Sequence, residues 1–453
     1  MKMRESLIDS AAPAAPVAPI ISDWRNLDAG ARRALLARPA VPENTDLEQR
    51  VARILAQVGR GGDGALRDLT RQHDGCDLQA LEVEARDLDA ADTQLPAELK
   101  EAIRASALRI AAFHNAAAGR AVRVETAAGV VCERVARPVR RVGLYVPAGS
   151  SPLPSTALML GIPARLAGCS EVVLCSPPDS SGQIHAAILY AARLCGIRRV
   201  FRLGGAQAIA AMAFGTESVP ACDKIFGPGN AWVTEAKRQV SQRPGGPAID
   251  MPAGPSELLV IADGSADALF VAADLLSQAE HGPDSQVLLI SDCSQLLDEV
   301  AQQLSARVRA LPRHGIASAA LAHSRLIRTE SIAQAVEISN RYAPEHLILN
   351  VREPRRLLPQ VENAGSVFLG PWSPESAGDY ASGTNHVLPT GGAARVLGGL
   401  SVDSFCKYIT VQELSTEGIR GLAGNICALA RAEGLEAHAQ AVEVRLEALE
   451  GGP

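Results

Sequence analysis

Two successive series of short β-branched runs, each run followed by a helical stretch, predict an α/β fold with two doubly wound sheet domains. The first series starts near Arg140, with runs at residues 141–146, 172–175, 200–203 and 224–226. The second starts after Met251, with runs at 258–261, 287–290, 326–327, 347–349 and 367–369. Alternation of strand and helix requires parallel pairing, so each series is read as an incomplete Rossmann-like sheet. Similar size suggests a duplication with a cleft between the halves, although no sequence repeat proves it.

Residues 1–22 carry early charges and then an Ala/Pro-rich run, and are expected to form a poorly ordered tail, since proline interrupts any signal-like apolar core. Residues 23–139 are read as a helical region, because 47–58 and 97–117 repeat apolar residues at three- and four-residue spacing. The first α/β domain is assigned to 140–250 and the second to 251–390. Residues 391–453 read as a helical tail, with 428–446 amphipathic. A tail of that size cannot build a core alone, so it must dock on its own subunit or on a second one.

The 453-residue chain is too long for one small core. Its 47% hydrophobic and 21% charged content fits a globular protein with an aliphatic interior. A net charge of −6 without a basic run argues against nucleic acid, and 3% aromatic residues supply few stacking platforms. No segment has the roughly 18 consecutive apolar residues of a membrane span. The nine cysteines are dispersed, without Cys-x-x-Cys spacing, which points to a reduced, cytoplasmic setting.

Residues 59–64 (GRGGDG) match the dinucleotide fingerprint GxGxxG by letter. That motif needs a preceding strand and a following helix whose amino end meets the pyrophosphate; here a helix precedes it, so a helix–helix connector is the better reading. Gly204-Gly205-Ala206-Gln207 and Phe226-Gly227-Pro228-Gly229-Asn230 each follow a strand and open a helix, as anion binding at a helix start requires, with structural turns as the alternative.

Gln278 and His281 lie three residues apart near the end of a helical segment that Gly282 is expected to stop. Both then sit at the carbonyl end, whose partial negative charge favours a cation. An amide oxygen and an imidazole form half of a metal site, and Asp379, His386 and His438 are candidates for the rest; solvated or satisfied polar groups are the alternative. Glu345 and His346 put two proton-transfer groups side by side at the entrance of a strand, where a salt-bridged Glu and a capping His compete with catalysis. Residues 376–386 form a polar, glycine-punctuated loop after a strand, and such loops at strand carboxyl ends commonly build α/β sites.

Residues 276–286 (LSQAEHGPDSQ), 204–214 (GGAQAIAAMAF), 226–237 (FGPGNAWVTEAK), 343–346 (APEH), 374–389 (PESAGDYASGTNHVLP) and 433–438 (EGLEAH) together resemble the histidinol dehydrogenase family, in order, from about Asp23 to Leu449. The resemblance implies one zinc ion per subunit held by Gln278, His281, Asp379 and, from the partner of a homodimer with exchanged tails, His438. It implies L-histidinol as substrate and two successive NAD+-dependent oxidations, through the aldehyde to histidine, the last step of histidine biosynthesis. His346 would act as base toward the alcohol, and Glu345 would activate water against the aldehyde.

Ser256, Gln278, His281, His346, Asp379, His386, Glu433 and His438 would bind substrate, with Ser155 as a further candidate, and Tyr145, Gln207 and Asn230 would contact NAD+. The departures are the Ala/Pro-rich extension and Ala148, where the family often has Gly. A reactive-cysteine route to the acid is rejected, because neither Cys132, Cys169 nor Cys175 sits beside a base. The alternatives are a related dehydrogenase for another small polyol or sulfonated diol, a metal hydrolase, and a non-catalytic two-lobed binding protein.

Overall fold

The computed structural model describes residues 19–39, 45–119, 121–148, 151–251 and 254–450. Its strands, in chain order, are β1 (Ile20–Asp23), β2 (Val122–Ala127), β3 (Val130–Pro138), β4 (Arg141–Tyr145), β5 (Glu171–Ser176), β6 (Arg199–Arg202), β7 (Lys224–Phe226), β8 (Ala248–Ile249), β9 (Glu257–Ala262), β10 (Gln286–Ser291), β11 (Arg325–Arg328), β12 (His346–Asn350), β13 (Ser366–Leu369) and β14 (Cys406–Leu414). The first parallel sheet has the order β6-β5-β4-β7-β8. The second has β11-β10-β9-β12-β13, the same winding, with β1 added beside β11. Equal topology in the two halves supports the reading of two similar units.

Both sheets are covered on both faces, which is why their strands are short continuous apolar runs. Val142, Leu144, Leu174 and Val200 face one core, and Tyr145, Val173, Cys175 and Phe201 face the other. In the second sheet Leu258, Val260, Val287 and Leu289 oppose Leu259, Ile261, Leu288 and Ile290. Burying a Leu, Ile or Val side chain contributes about 1.5–3 kcal/mol, so these layers fix the lobes between which the cleft opens.

Three sequence expectations are corrected. The region 23–139 is not one helical unit. Val51, Leu55 and Leu69 of helix Thr45–His73 cover one face of the first sheet, Ile103 and Ile110 of helix Ala97–Ala117 cover the other, and Trp24 packs on the second sheet. The tail is not wholly helical either: β14 pairs antiparallel with β3, and β3 with β2. Residues of β2 and β14 are mostly exposed, so no buried face gave a strong period. Of the tail expected over residues 1–22 to be poorly ordered or extended, residues 1–18 lie outside the described residues, whereas 20–23 form β1, paired in parallel with β11.

The connector reading of residues 59–64 holds. Helix Thr45–His73 kinks at Gly62 (φ 50°, ψ −137°), and the Glu217 carboxylate accepts from the Asp63 amide at 2.8 Å. A carboxylate occupies the place where a phosphate would have to bind.

Candidate active site

A cavity of about 660 Å³ opens between the lobes and is lined by residues of both. From the first lobe it receives the carboxyl ends of β4 and β7, the point where the strand order reverses and ligands bind in doubly wound sheets. Tyr145 ends β4, and its phenol oxygen accepts from the Gly205 amide at 3.1 Å, joining it to the start of helix Gly205–Phe214. Gln207, in the first turn of that helix, donates toward Asp74 at 3.5 Å. Asn230 caps helix Ala231–Ser241, with Oδ1 accepting from Trp232 N and Val233 N at 3.1 and 3.2 Å. This commits its oxygen and leaves its amide NH2 as donor.

Gly227, between β7 and Asn230, has φ 123°, and a Cβ there would lie 2.1 Å from Tyr145 O, so only glycine lets the two strand ends approach. The turn is pinned from below: Gly227 N donates to Asp250 at 2.7 Å, Lys237 donates to Gly227 O at 2.9 Å, and Lys237 pairs with Asp250.

The second lobe presents the opposite edge of its sheet. Glu345 and His346 stand at the amino end of β12, next to the start of β9. Sites at strand carboxyl ends, as expected for residues 376–386, apply to the first sheet; that loop instead returns to the amino edge of the second. The dyad leaves a turn at Ala343 (φ 55°, ψ 70°), which is the only non-glycine residue with positive φ among the described residues. This conformation ahead of a proline costs about 1–3 kcal/mol and persists only where the surroundings hold it.

His346 Nδ1 lies 3.1 Å from the Glu257 carbonyl, which only accepts, so Nδ1 carries the proton and Nε2 the lone pair. Burial pushes the His346 pKa down to about 3, keeping the ring neutral. Glu345 Oε2 accepts from the Glu257 amide at 2.8 Å. Burial, reinforced by the neighbouring carboxylates, raises the Glu345 carboxyl well above the usual range. One residue's backbone thus holds both members of the dyad.

Opposite His346 lies a cluster of donors. Gln278 is in the last turn of helix Ala268–Ala279, and His281 sits just beyond it. The helix ends before Gly282, through Glu280, so that glycine does not stop it, yet both side chains still meet the carbonyl end. His281 Nε2 is 3.8 Å from Asp379 Oδ2, and His346 Nε2 is 3.8 Å from Asp379 Oδ1. Ligand atoms of His281, Glu375 and Asp379 lie within 4.8 Å of one another. Gln278 Oε1 and Glu375 Oε1 are buried and lack a hydrogen-bond partner.

Burial pushes Glu375 up to about 8, helped by the charge on Asp379, and pushes Asp379 up to about 6. Buried carboxyls that resist ionisation beside an orphaned amide oxygen and an imidazole are what a hard or borderline dication would relieve, so these residues fit zinc.

His386 spans the lobes. Its Nδ1 donates to Asp379 O at 3.0 Å, and Nε2 meets Thr156 Oγ1 at 3.3 Å. Burial pushes its pKa down to about 4, so this ring is neutral as well.

Of the residues singled out in the sequence, Tyr145, Gln207, Asn230, Ser155, Ser256, Gln278, His281, Glu345, His346, Asp379 and His386 line the cavity, as does Ala148. Glu433 and His438 do not; both are exposed near the junction of helices Thr416–Ala432 and Glu436–Glu450. No cysteine lines the cavity among the described residues, and burial pushes the Cys169 thiol up to about 12 and raises Cys175 well above the usual thiol range.

Sequence reading missed Glu375 and Glu257. Glu375 stands four residues before Asp379 on the short helix Glu375–Tyr380, a carboxylate pair at helical spacing that was missed because residues 376–386, directly after it, were read as loop. Glu257 had no signal, because its contribution is through main-chain atoms.

The family model for histidinol dehydrogenase matches residues 37–446. The histidinol dehydrogenase of Xylella fastidiosa is 59% identical over 426 residues, covering 94% of this chain and 99% of that protein. That of Vibrio parahaemolyticus is 54% identical over 426 residues, covering 94% and 98%. The crystal structure of histidinol dehydrogenase from Elizabethkingia anophelis superposes with a TM-score of 0.92 at 47% identity, covering 95% of this chain and 99% of that one. Two sheets of equal winding, a dyad and donor cluster between them, and near-complete coverage at this identity lead to one conclusion: the chain belongs to the histidinol dehydrogenase family.

Proposed function

We propose that the cavity carries out both oxidations of L-histidinol, to the aldehyde and then to histidine, with the dyad dividing the proton transfers. Family membership makes the chain an NAD-dependent oxidoreductase that oxidises histidinol. The observation that carries the assignment of roles is the orphaned Gln278 Oε1 beside His281 and Asp379, facing the dyad across the cavity from the two glycine loops. Gln278, His281 and Asp379 would hold zinc, with His438 of the partner subunit as fourth ligand. When bound, zinc supplies a Lewis acid that orients the substrate's nitrogen atoms, and NAD+, contacted by Tyr145, Gln207 and Asn230, accepts the hydrides.

His346, neutral and with its Nε2 lone pair free, takes the alcohol proton. Glu345 takes a proton from the water that adds to the aldehyde carbon; a carboxyl with a raised pKa is a strong base once ionised, and a dication nearby favours that ionised form. Ser256 and His386 bind substrate from this chain, and Glu433 from the partner. The nine cysteines are all free, which supports a reducing, cytoplasmic location.

The homodimer rests on the tail. Helices Thr416–Ala432 and Glu436–Glu450 pack chiefly on one another, and Leu429, Leu435, Val444, Ile409 and Val411 are exposed. The tail lacks a core of its own and carries Glu433 and His438 away from this chain's cavity. NADH yield per histidinol tests the reading: two NADH are expected, with the yield lost on chelation and restored by zinc. One NADH per substrate, or a chelator-resistant yield, contradicts it.

A further inference from the structure

We infer that half-buried Arg38 and buried Glu257 form a clamp that positions the Glu345–His346 dyad, making both positioning residues for the oxidation. The inference rests on the roles proposed for that dyad. Glu257, at the start of β9, is 2% exposed. Its amide holds Glu345 Oε2 at 2.8 Å and its carbonyl holds His346 Nδ1 at 3.1 Å. The place of these main-chain atoms depends on its side chain, which receives Arg38 Nε and Nη2 at 2.5 and 2.8 Å and the Gly391 amide at 2.8 Å.

The same guanidinium donates to the carbonyls of Tyr342 and Ala343 at 2.8 and 3.2 Å and lies 4.0 Å from the centre of the Tyr342 ring. Arg38 therefore grips both the strained turn from which the dyad leaves and the residue that receives its hydrogen bonds. Tyr342 is fixed in turn by its hydroxyl donating to Gln286 Oε1 at 2.8 Å, and Gln286 donates to Ala37 O at 3.1 Å, closing the loop beside Arg38.

The fork geometry matters as much as the charge. A lysine can pair with Glu257 but cannot reach a bidentate carboxylate and two carbonyls together. Displacement of a reacting group by about 1 Å can cost on the order of a hundredfold in rate.

The test compares wild type with Arg38→Lys, Arg38→Gln and, as a control remote from the cavity, Arg199→Gln, which breaks the bidentate pair with Glu82. Each is measured for kcat and KM with histidinol and NAD+ and for Tm. In Arg38→Lys, Tm is expected to stay near wild type while kcat falls by about a hundredfold and KM for NAD+ is unchanged, because the cofactor loops belong to the other sheet. Arg38→Gln lowers both Tm and kcat; should it not fold, Arg38→Lys decides alone. Arg199→Gln lowers Tm only.

A kcat in Arg38→Lys that stays near wild type, or that falls only in step with Tm, overturns the positioning role, as does an equal kcat loss in Arg199→Gln. Absence of NADH from wild type with histidinol is a different outcome and rejects the functional reading instead.

Discussion

Glu345 and His346 are neighbours in the chain, yet their surroundings differ in the way the proposed division of proton transfers requires. Successive side chains on an ideal strand point to opposite faces. The dyad escapes that rule because it stands where β12 begins, directly after the left-handed turn at Ala343. His346 is buried neutral with its Nδ1 proton fixed, so its other nitrogen can accept a proton without first losing one. Burial, with the neighbouring carboxylates, raises the Glu345 carboxyl, so that once ionised it is a competent base toward water. In Glu345→Gln, the first hydride transfer is expected to persist in part while the second stalls, reducing overall turnover by about a hundred- to ten-thousand-fold. Stopped-flow NADH formation checks this; equal loss of both phases would reject the division of labour. At this scale the sequence was legible where a residue's chemistry lies in its side chain, as for Gln278, His281 and Asp379. It was silent for Glu257, whose amide and carbonyl do the holding, and for the αL turn at a residue as ordinary as Ala343.

Strands and loops place these residues. The parallel strands were readable because burial on both faces leaves continuous apolar runs, while β2, β3 and β14 were not, because β2 and β14 are mostly exposed and β3 is only half-buried. β8 is only two residues long and gives no period at all. Kinking of helix Thr45–His73 at Gly62 shows why a fingerprint needs its context: the letters fit a phosphate loop, and the preceding helix forbids one. The loop after β7 has the strictest local requirement. Gly227→Ala meets Tyr145 O at 2.1 Å as well as an unfavourable φ. Gly168, which ends helix Pro154–Ala167 with φ 83°, has nothing within 4 Å of an added Cβ. Gly168→Ala is expected to cost about 1 kcal/mol of stability and leave kinetics unchanged, whereas Gly227→Ala costs on the order of 3 kcal/mol and raises KM for NAD+. Denaturant unfolding and initial rates check the pair; similar losses in both would show that the loop relaxes freely.

Across the whole molecule, the two sheets share a winding but use opposite edges. The first offers the carboxyl ends of β4 and β7 to the cavity, and the second offers the amino ends of β9 and β12, the edges assigned under the proposed function to cofactor and substrate. An alcohol carbon held by one edge can then face a hydride acceptor held by the other. The alternation of elements made the two lobes legible. Which edge each lobe would use was not, because edge choice depends on where the loop after β13 returns. Glu433 and His438 face solvent in one subunit, so in the proposed homodimer they would reach the cavity of the second chain. The most direct measurement is anomalous diffraction at the zinc edge from crystals of the zinc-loaded protein. The account predicts one strong peak per subunit, bounded by Gln278 Oε1, His281, Asp379 and His438 of the partner subunit. A peak that lies away from Gln278 and Asp379, or whose fourth ligand comes from the same chain, would contradict it.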